Sequence, residues 1–321
     1  MKFSFILCTR NSERVLKEVV ESIVCQKIDN KFIEIILADY DSKDKTIEVV
    51  KNISKKNQIK LSHIQCHQPG KAPALELALD SAKGNYSVIV DDDNVLENNF
   101  IEEAEKLLKD PSWGCIGSQG IIDKNLFFPK WFNEYRGHYA IGVPKDAKDW
   151  VWGACCIINM IAWKKLRKKG FEIQLNPIRT SHTSPIKLGG EDTELSLAIY
   201  MLGYKVQFIE KLKFIHKFEQ KRLDQKYLLD NVYGVCRSTA ILEIYRMVIY
   251  QTNLLFPKIF WILVLLKSIL GCLLRLIVCI LSNRILKAKH NYKIIIGIIS
   301  GFIHYRKNFY SIYTRLLKIK N

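Results

Sequence analysis

Three aspartates and an asparagine stand in a row at Asp91-Asp92-Asp93-Asn94, directly after the apolar run 86–90 (YSVIV). Carboxylates this close repel one another unless a positive charge is shared among them. A hard divalent cation, Mg2+ or Mn2+, is the natural neutraliser. It takes only one or two protein carboxylates and fills its shell with water and substrate phosphates. Alternate residues, Asp91 and Asp93, could both face such a site. The plainer alternative is a solvated acidic turn in which Asn94 caps a helix beginning near Glu97. A second acidic pair, Glu191-Asp192, opens an apolar-periodic stretch over 195–202 that Gly203 ends. A carboxylate at a helix N-terminus is stabilised in its charged form. That keeps Asp192 ready to accept a proton while lowering its basicity. The plainer alternative is that Glu191 or Asp192 only caps the helix.

These groups need a frame. Apolar, β-branched runs at 3–7, 33–38, 61–65 and 86–90 predict strands, and the patterns at 12–26, 44–55, 72–82 and 97–109 predict helices. Pro73 falls near the start of the third helix, where its missing N–H is harmless. Alternation at this spacing predicts βαβ units and a parallel sheet covered on both faces. Ligands of such sheets bind at the carboxyl ends of the strands. There the chain offers Thr9-Arg10-Asn11, Asp39-Tyr40-Asp41-Ser42, Pro69-Gly70-Lys71 and the aspartate run. Neither GxGxxG nor a Walker A sequence is present, so the glycine-cradle routes to NAD or ATP are missing.

Charge and composition divide the chain. The 321 residues carry a net charge of +17, but residues 1–243 hold 36 basic and 32 acidic residues, while 244–321 hold 13 basic and no acidic ones. Nine cysteines without a CxxC pair suit a reducing setting better than a disulfide framework or zinc site. The N-terminal apolar run is too short for a signal peptide, so a cytosolic start is expected. The stretch 256–282 is densely apolar, with Lys258, Lys267 and Arg275 interrupting it. On a helix Lys267, Ser268, Gly271 and Arg275 share one narrow face. That predicts a helix lying in the membrane interface with its cations snorkelling outward. A span or re-entrant hairpin, or helices packed on the catalytic domain, are the alternatives. This much Leu and Ile has no role on a nucleic-acid backbone.

At this point four segments, in order, resemble one family. FSFILCTRNSERVLKEVVESIVCQ, EIILADYDSKDKT, PGKAPALELALDSAKGNYSVIVDDDN and GEDTELSLAIYMLGYKVQFIE are similar to the successive motifs of family 2 glycosyltransferases of the bacterial polysaccharide and lipopolysaccharide type. The resemblance covers about 1–220. It implies an α/β chain of GT-A fold, a Rossmann-like, mixed but mostly parallel sheet, over that range. Residues 221–321 are expected, from their charge and composition, to form a basic, apolar helical region that associates with membranes. By position, Asp39 is similar to the family's nucleobase-contacting aspartate, with Thr9 and Lys71 also placed around the nucleotide. Asp91 matches the DxD residue near the ribose and Asp93 the one that holds the metal. Asp192 matches the general base, with Glu191 positioning the acceptor. Trp152-Gly153-Ala154 resembles the loop on the acceptor side, and Trp131 and Trp150 beside it could stack on a sugar or be buried aromatics. A histidine in the region of His216 reaches the metal in some members. Amid Phe214, Ile215 and Phe218 it could equally be a packed residue. Tyr40 and Arg10 depart from the family pattern, which commonly has aspartate and tyrosine there, and this bears on base selectivity.

The expected activity is inverting, Mn2+- or Mg2+-dependent transfer of a sugar from a nucleotide-diphosphate donor to a hydroxyl of a glycan or lipid-linked acceptor. It would take place at the cytoplasmic face of an anionic membrane. Without several long spans, addition of one sugar or a few is expected in place of processive polymerisation. Two alternatives are a nucleotidyltransferase, which should carry a Gly-rich basic phosphate loop where CTRNSERV stands, and an inactive membrane-bound scaffold.

Overall fold

The computed structural model describes residues 1–144, 147–176, 189–251 and 254–321. The first half alternates as expected. Strands β1 (Phe3–Thr9), β2 (Ile33–Asp39), β3 (Lys60–Gln65) and β4 (Tyr86–Asp91) are joined by helices α1 (Glu13–Val24), α2 (Thr46–Lys56) and α3 (Lys71–Ser81). All four strands run parallel, in the order β3-β2-β1-β4. Phe5, Ile6, Leu7, Ile35, Ile36, Leu37, Val88 and Ile89 are buried, as unbroken apolar strands covered on both faces must be. The chain then adds β5 (Asn94–Leu96), α4 (Phe100–Leu107), β6 (Trp113–Ile122), the short α5 (Phe132–Tyr135), β7 (Cys156–Asn159) and α6 (Met160–Lys168). Next come α7 (Glu191–Met201) and β8 (Lys205–His216), completing an eight-stranded sheet in the order β3-β2-β1-β4-β7-β6-β8-β5. β7 is antiparallel to β4 and β6, and β5 is antiparallel to β8.

Two local expectations change. The helix expected over 97–109 is the shorter α4, because residues 94–96 pair with the end of β8, Asn94 opposite His216. Asn94 therefore lies in a strand and caps nothing. Pairing with β5 and β6 carries β8 through to His216, its last residue.

A 3-10 turn at Gln220–Arg222 leads into five helices, α8 (Gln225–Arg237), α9 (Thr239–Tyr250), α10 (Pro257–Leu281), α11 (Ile285–Tyr305) and α12 (Phe309–Lys320). They pack on one another and on α7, with Trp261, Tyr245, Phe309 and Leu316 fully buried. α10 is long and apolar enough to cross a membrane, with a mean hydropathy of 2.4. Its inward stripe is Trp261, Leu265, Cys272 and Cys279, while Ile259, Leu263, Leu266, Leu270 and Ile277 are exposed on the opposite side.

Candidate active site

Strand order reverses where β1 meets both β2 and β4, and this is where an open α/β sheet leaves a crevice at its carboxyl edge. The register places Thr9 beside Asp39 and Cys8 beside Asp91. Each loop there is tied down. Asn11 and Asp41 both adopt a left-handed φ of 53°, which asparagine and aspartate tolerate best among residues with a Cβ. Asn11 N–H donates to Ser42 Oγ at 2.9 Å, and Lys43 N–H donates to Asn11 Oδ1 at 2.7 Å. Asp39 is fully buried and accepts from Ser42 N–H at 3.1 Å and from the Ser42 hydroxyl. The guanidinium of Arg10 lies 4.9 Å from the ring centre of Tyr40. The two departures from the family pattern therefore contact each other at the mouth of this crevice.

The three consecutive aspartates take three different sets of partners. Asp91 accepts from Lys71 Nζ at 2.5 Å. Asp92 turns back to the first loop, accepting from the Ser12 hydroxyl and from Thr9 Oγ1 at 3.3 Å. Asp93 is buried, its Oδ2 3.0 Å from Arg222 Nη1 and its Oδ1 3.3 Å from His216 Nε2. Strand alternation and the turn after β4 aim neighbouring side chains in different directions. Nothing in the primary structure shows which partner each one meets.

Lys71 is the first residue of α3, a position where a cation opposes the helix dipole. Gly70 turns the chain into it at φ +107°, and a Cβ there would lie 1.9 Å from Asn176 Oδ1, so the lead-in requires glycine. Lys71 stays charged because its Nζ also lies 3.6 Å from Glu191 Oε1. Burial opposes that charge, but Asp91 and Glu191 together hold its pKa above the ordinary lysine value.

Asp192 lies in the first turn of α7, its Oδ2 accepting from Gly153 N–H at 2.6 Å and its Oδ1 from Thr193 N–H at 2.7 Å. The helix terminus alone would lower its basicity. Burial reverses the sign and raises its pKa, against the pull of Lys71 and the two N–H donors. Glu191 is raised too, by burial first and then by the neighbouring Asp192 charge. The site thus holds a fixed carboxylate with more basicity than a solvated one, which suits proton abstraction near neutral pH. Gly153 is part of the design: a Cβ there would lie 3.2 Å from Asp192 Cβ and 3.5 Å from Lys71 Nζ.

The aromatic side chains proposed around the acceptor are packed. Trp152 is buried, its Nε1–H donating to Ser118 O at 2.9 Å and its ring edge-on to Phe208 at 4.5 Å. Its place in the site is through the backbone that presents Gly153. Trp150 packs edge-on against Phe208 at 5.8 Å, and Trp131 against Tyr135 at 6.3 Å.

The residues around Asp93 fit a divalent cation. Tyr139 O accepts from His216 Nδ1–H at 2.7 Å, which turns His216 Nε2 toward Asp93 Oδ1, 3.3 Å away. An oxygen and a nitrogen donor thus face each other, while Arg222 holds the other oxygen of Asp93. Beside them the carboxamide of Asn94 is fully buried, and neither of its polar atoms has a partner among the described residues. Those residues contain no cluster of three or more His, Cys, Asp or Glu ligands. Arg222 and Tyr139 were not foreseen. The only sequence signal for Arg222 is an arginine shortly after His216, and for Tyr139 there is none.

The model of glycosyl transferase family 2 matches residues 4–169. The chain belongs to that family. The poly(ribitol-phosphate) beta-N-acetylglucosaminyltransferase TarS of Staphylococcus aureus is 29% identical to this family member over 104 residues, 32% of this chain and 18% of TarS. The dolichol-phosphate mannosyltransferase of Pyrococcus furiosus is 26% identical over 234 residues, 69% of this chain and 62% of that protein. The chain thus spans less than two thirds of either relative. Among solved structures, TarS residues 1–349 in complex with UDP-GlcNAc superimposes with a TM-score of 0.51 at 16% identity, covering 96% of this chain and 92% of that one. A mannosyltransferase from Pyrobaculum calidifontis, solved with GDP-Man and Mn2+, gives a TM-score of 0.56 at 15% identity, covering 99% and 84%. At these identities the structural likeness establishes the fold, which is GT-A-like.

Proposed function

We propose that this family 2 protein transfers a sugar from a nucleotide-diphosphate donor to a hydroxyl, with inversion at the anomeric carbon. The observation that carries the reading is Asp192, held through both oxygens by Gly153 and Thr193 and raised in basicity beside the Lys71–Asp91–Glu191 cluster. Asp192 takes the proton of the acceptor hydroxyl as that oxygen attacks. Lys71 keeps Asp91 and Glu191 in place and leaves Glu191 to orient the acceptor. Thr9 and Asp39 border the nucleotide at the carboxyl ends of β1 and β2. Asp93 and His216 would hold a divalent cation, which when bound stabilises negative charge on the departing diphosphate. The Mn2+ and nucleotide-sugar complexes of the structural relatives support this reading.

The exposed apolar side of α10, bordered by Lys267 and Arg275, supports attachment to an anionic membrane. The catalytic face is then the cytoplasmic one and the acceptor a lipid-linked glycan. The P. furiosus relative, a dolichol-phosphate mannosyltransferase, supports the lipid part of that acceptor only.

The test is a panel of UDP-, GDP- and dTDP-sugars with Mn2+ or Mg2+, scored by release of nucleoside diphosphate, on wild type and Asp192→Asn. Turnover should fall about 10²- to 10⁴-fold in the variant, with nucleoside-diphosphate affinity retained. Full activity in Asp192→Asn would remove Asp192 as the base. Release of pyrophosphate would instead mark a nucleotidyltransferase.

A further inference from the structure

The catalytic pair sits at the start of α7, so its placement depends on what fixes that turn. Two contacts bracket it, and both come from the C-terminal helices. Ahead of the pair, the Ser238 hydroxyl, fully buried between α8 and α9, donates to Gly189 O. Gly189 N–H in turn donates to Gly234 O at 3.4 Å. Gly190, at φ +100°, lies beside Ser238, where a Cβ would make ordinary contact with Ser238 Cβ at 3.4 Å. Behind the pair, Glu194 is fully buried, and its Oε1 accepts from the Tyr245 hydroxyl of α9 at 2.6 Å. Its Oε2 accepts from Leu175 N–H at 2.7 Å and Gln174 N–H at 2.9 Å.

α9 is itself clamped by the helices that follow it. Trp261 Nε1–H of α10 donates to Ala240 O at 2.7 Å. Lys320 of α12 caps the far end of α9 through Val248 O at 2.6 Å and Ile249 O at 3.1 Å. Gly301 of α11 lies where a Cβ would come within 2.1 Å of Arg237 O at the end of α8 and 3.3 Å of Ala240 Cβ in α9. An unbroken set of contacts therefore runs from the helices bearing the exposed apolar side of α10 to the turn carrying Asp192.

We propose that Ser238 and Tyr245 are positioning residues for Asp192, so that the C-terminal helices set the reach of the catalytic base. This rests on the reading of Asp192 as base. Without the Tyr245 hydroxyl, one oxygen of a buried carboxylate loses its donor and the first turn of α7 shifts. Displacements of about 1 Å at a reacting group cost roughly 10²-fold in rate.

The experiment measures kcat, KM for the donor, Mn2+-dependent nucleoside-diphosphate affinity and thermal unfolding on the full chain. The variants are Tyr245→Phe, Ser238→Ala, Ser238→Thr and Asp192→Asn. Positioning predicts that Tyr245→Phe and Ser238→Ala lower kcat roughly 10- to 100-fold while donor KM and diphosphate affinity stay within about two-fold. Ser238→Thr, which keeps the hydroxyl, should recover most of the rate. A purely structural role predicts lower thermal stability with kcat unchanged in the folded fraction, and that result overturns the proposal. If Ser238→Ala does not fold, Tyr245→Phe and the Ser238→Thr recovery decide it. An inactive Asp192→Asn with fully active Tyr245→Phe and Ser238→Ala defeats the positioning proposal alone. An active Asp192→Asn defeats the underlying reading.

Discussion

Replacing Lys71 with methionine keeps the length and bulk of the side chain and removes its charge. At an effective dielectric of about 20, a charge 2.5 Å from Asp91 and 3.6 Å from Glu191 contributes about 7 and about 5 kcal/mol of gross attraction. Desolvation of the three groups offsets most of this, and removing one member of a buried pair costs a net of about 3–5 kcal/mol. Lys71 and Asp91 keep 23% and 29% of their side-chain exposure, which places the loss near the lower end, at about 3 kcal/mol. The sign of the pH dependence follows. Lys71 has a folded pKa above its unfolded 10.5, so its stabilisation is fully present below that value and is lost as pH rises past the folded one. Glu191 and Asp192 are already raised by burial, and Lys71 opposes that rise. Without Lys71 both hold protons to still higher pH in the folded state. The stability deficit of Lys71→Met should therefore widen as pH rises from 5 to about 8 and narrow on acidification. The acidic limb of the pH–rate profile should move up by about one unit. Denaturant unfolding at both pH values, with pH–rate profiles, checks this. Equal unfolding midpoints at pH 8, with an unmoved acidic limb, would refute the argument that Lys71 governs the ionisation of the pair.

Three further outcomes are expected. Gly153→Ala presses a methyl group against Asp192 Cβ at 3.2 Å, so turnover should drop roughly ten-fold with donor binding retained, as steady-state kinetics would show. Glu194 is held at a pKa of about 7 by burial, against 4.5 in the unfolded chain. Wild-type stability should thus fall as pH rises from 4.5 through 7, by up to roughly 3 kcal/mol from this group, and Glu194→Gln should flatten that part of an unfolding-versus-pH series. Leu266 and Leu270 of α10 are 54% and 58% exposed, so glutamate at either should leave thermal unfolding unchanged. Sedimentation with anionic vesicles should weaken about ten-fold or more per site, the apolar contribution of one leucine.

Much of the frame was legible from the sequence. The β1–β4 strands and the helices between them follow from apolar runs and amphipathic periods spanning a few residues, which local backbone geometry alone imposes. The parallel sheet, the aspartate run at its carboxyl edge, Glu191 and Asp192 at a helix start, and the charge divide after Glu243 were all readable in the same way. β5 was not, because residues 94–96 form a strand only by pairing with β8. Nor was the reach of β8 to His216, which rests on pairing with β5 and β6.

What only the tertiary structure decided is the partner of each carboxylate. Asp91 meets Lys71, Asp92 meets Ser12 and Thr9, and Asp93 meets Arg222 and His216, although the three are adjacent in the chain. The direction of the Asp192 shift was decided there too, since the helix terminus is written locally but burial is not. The contacts of Ser238 with Gly189 and of Tyr245 with Glu194, on either side of Glu191 and Asp192, belong to the same class. Periodicity is a property of neighbouring residues. Which charges face each other across a crevice depends on the order of strands in the sheet and on how the C-terminal helices close against it, and no short window of sequence contains that information.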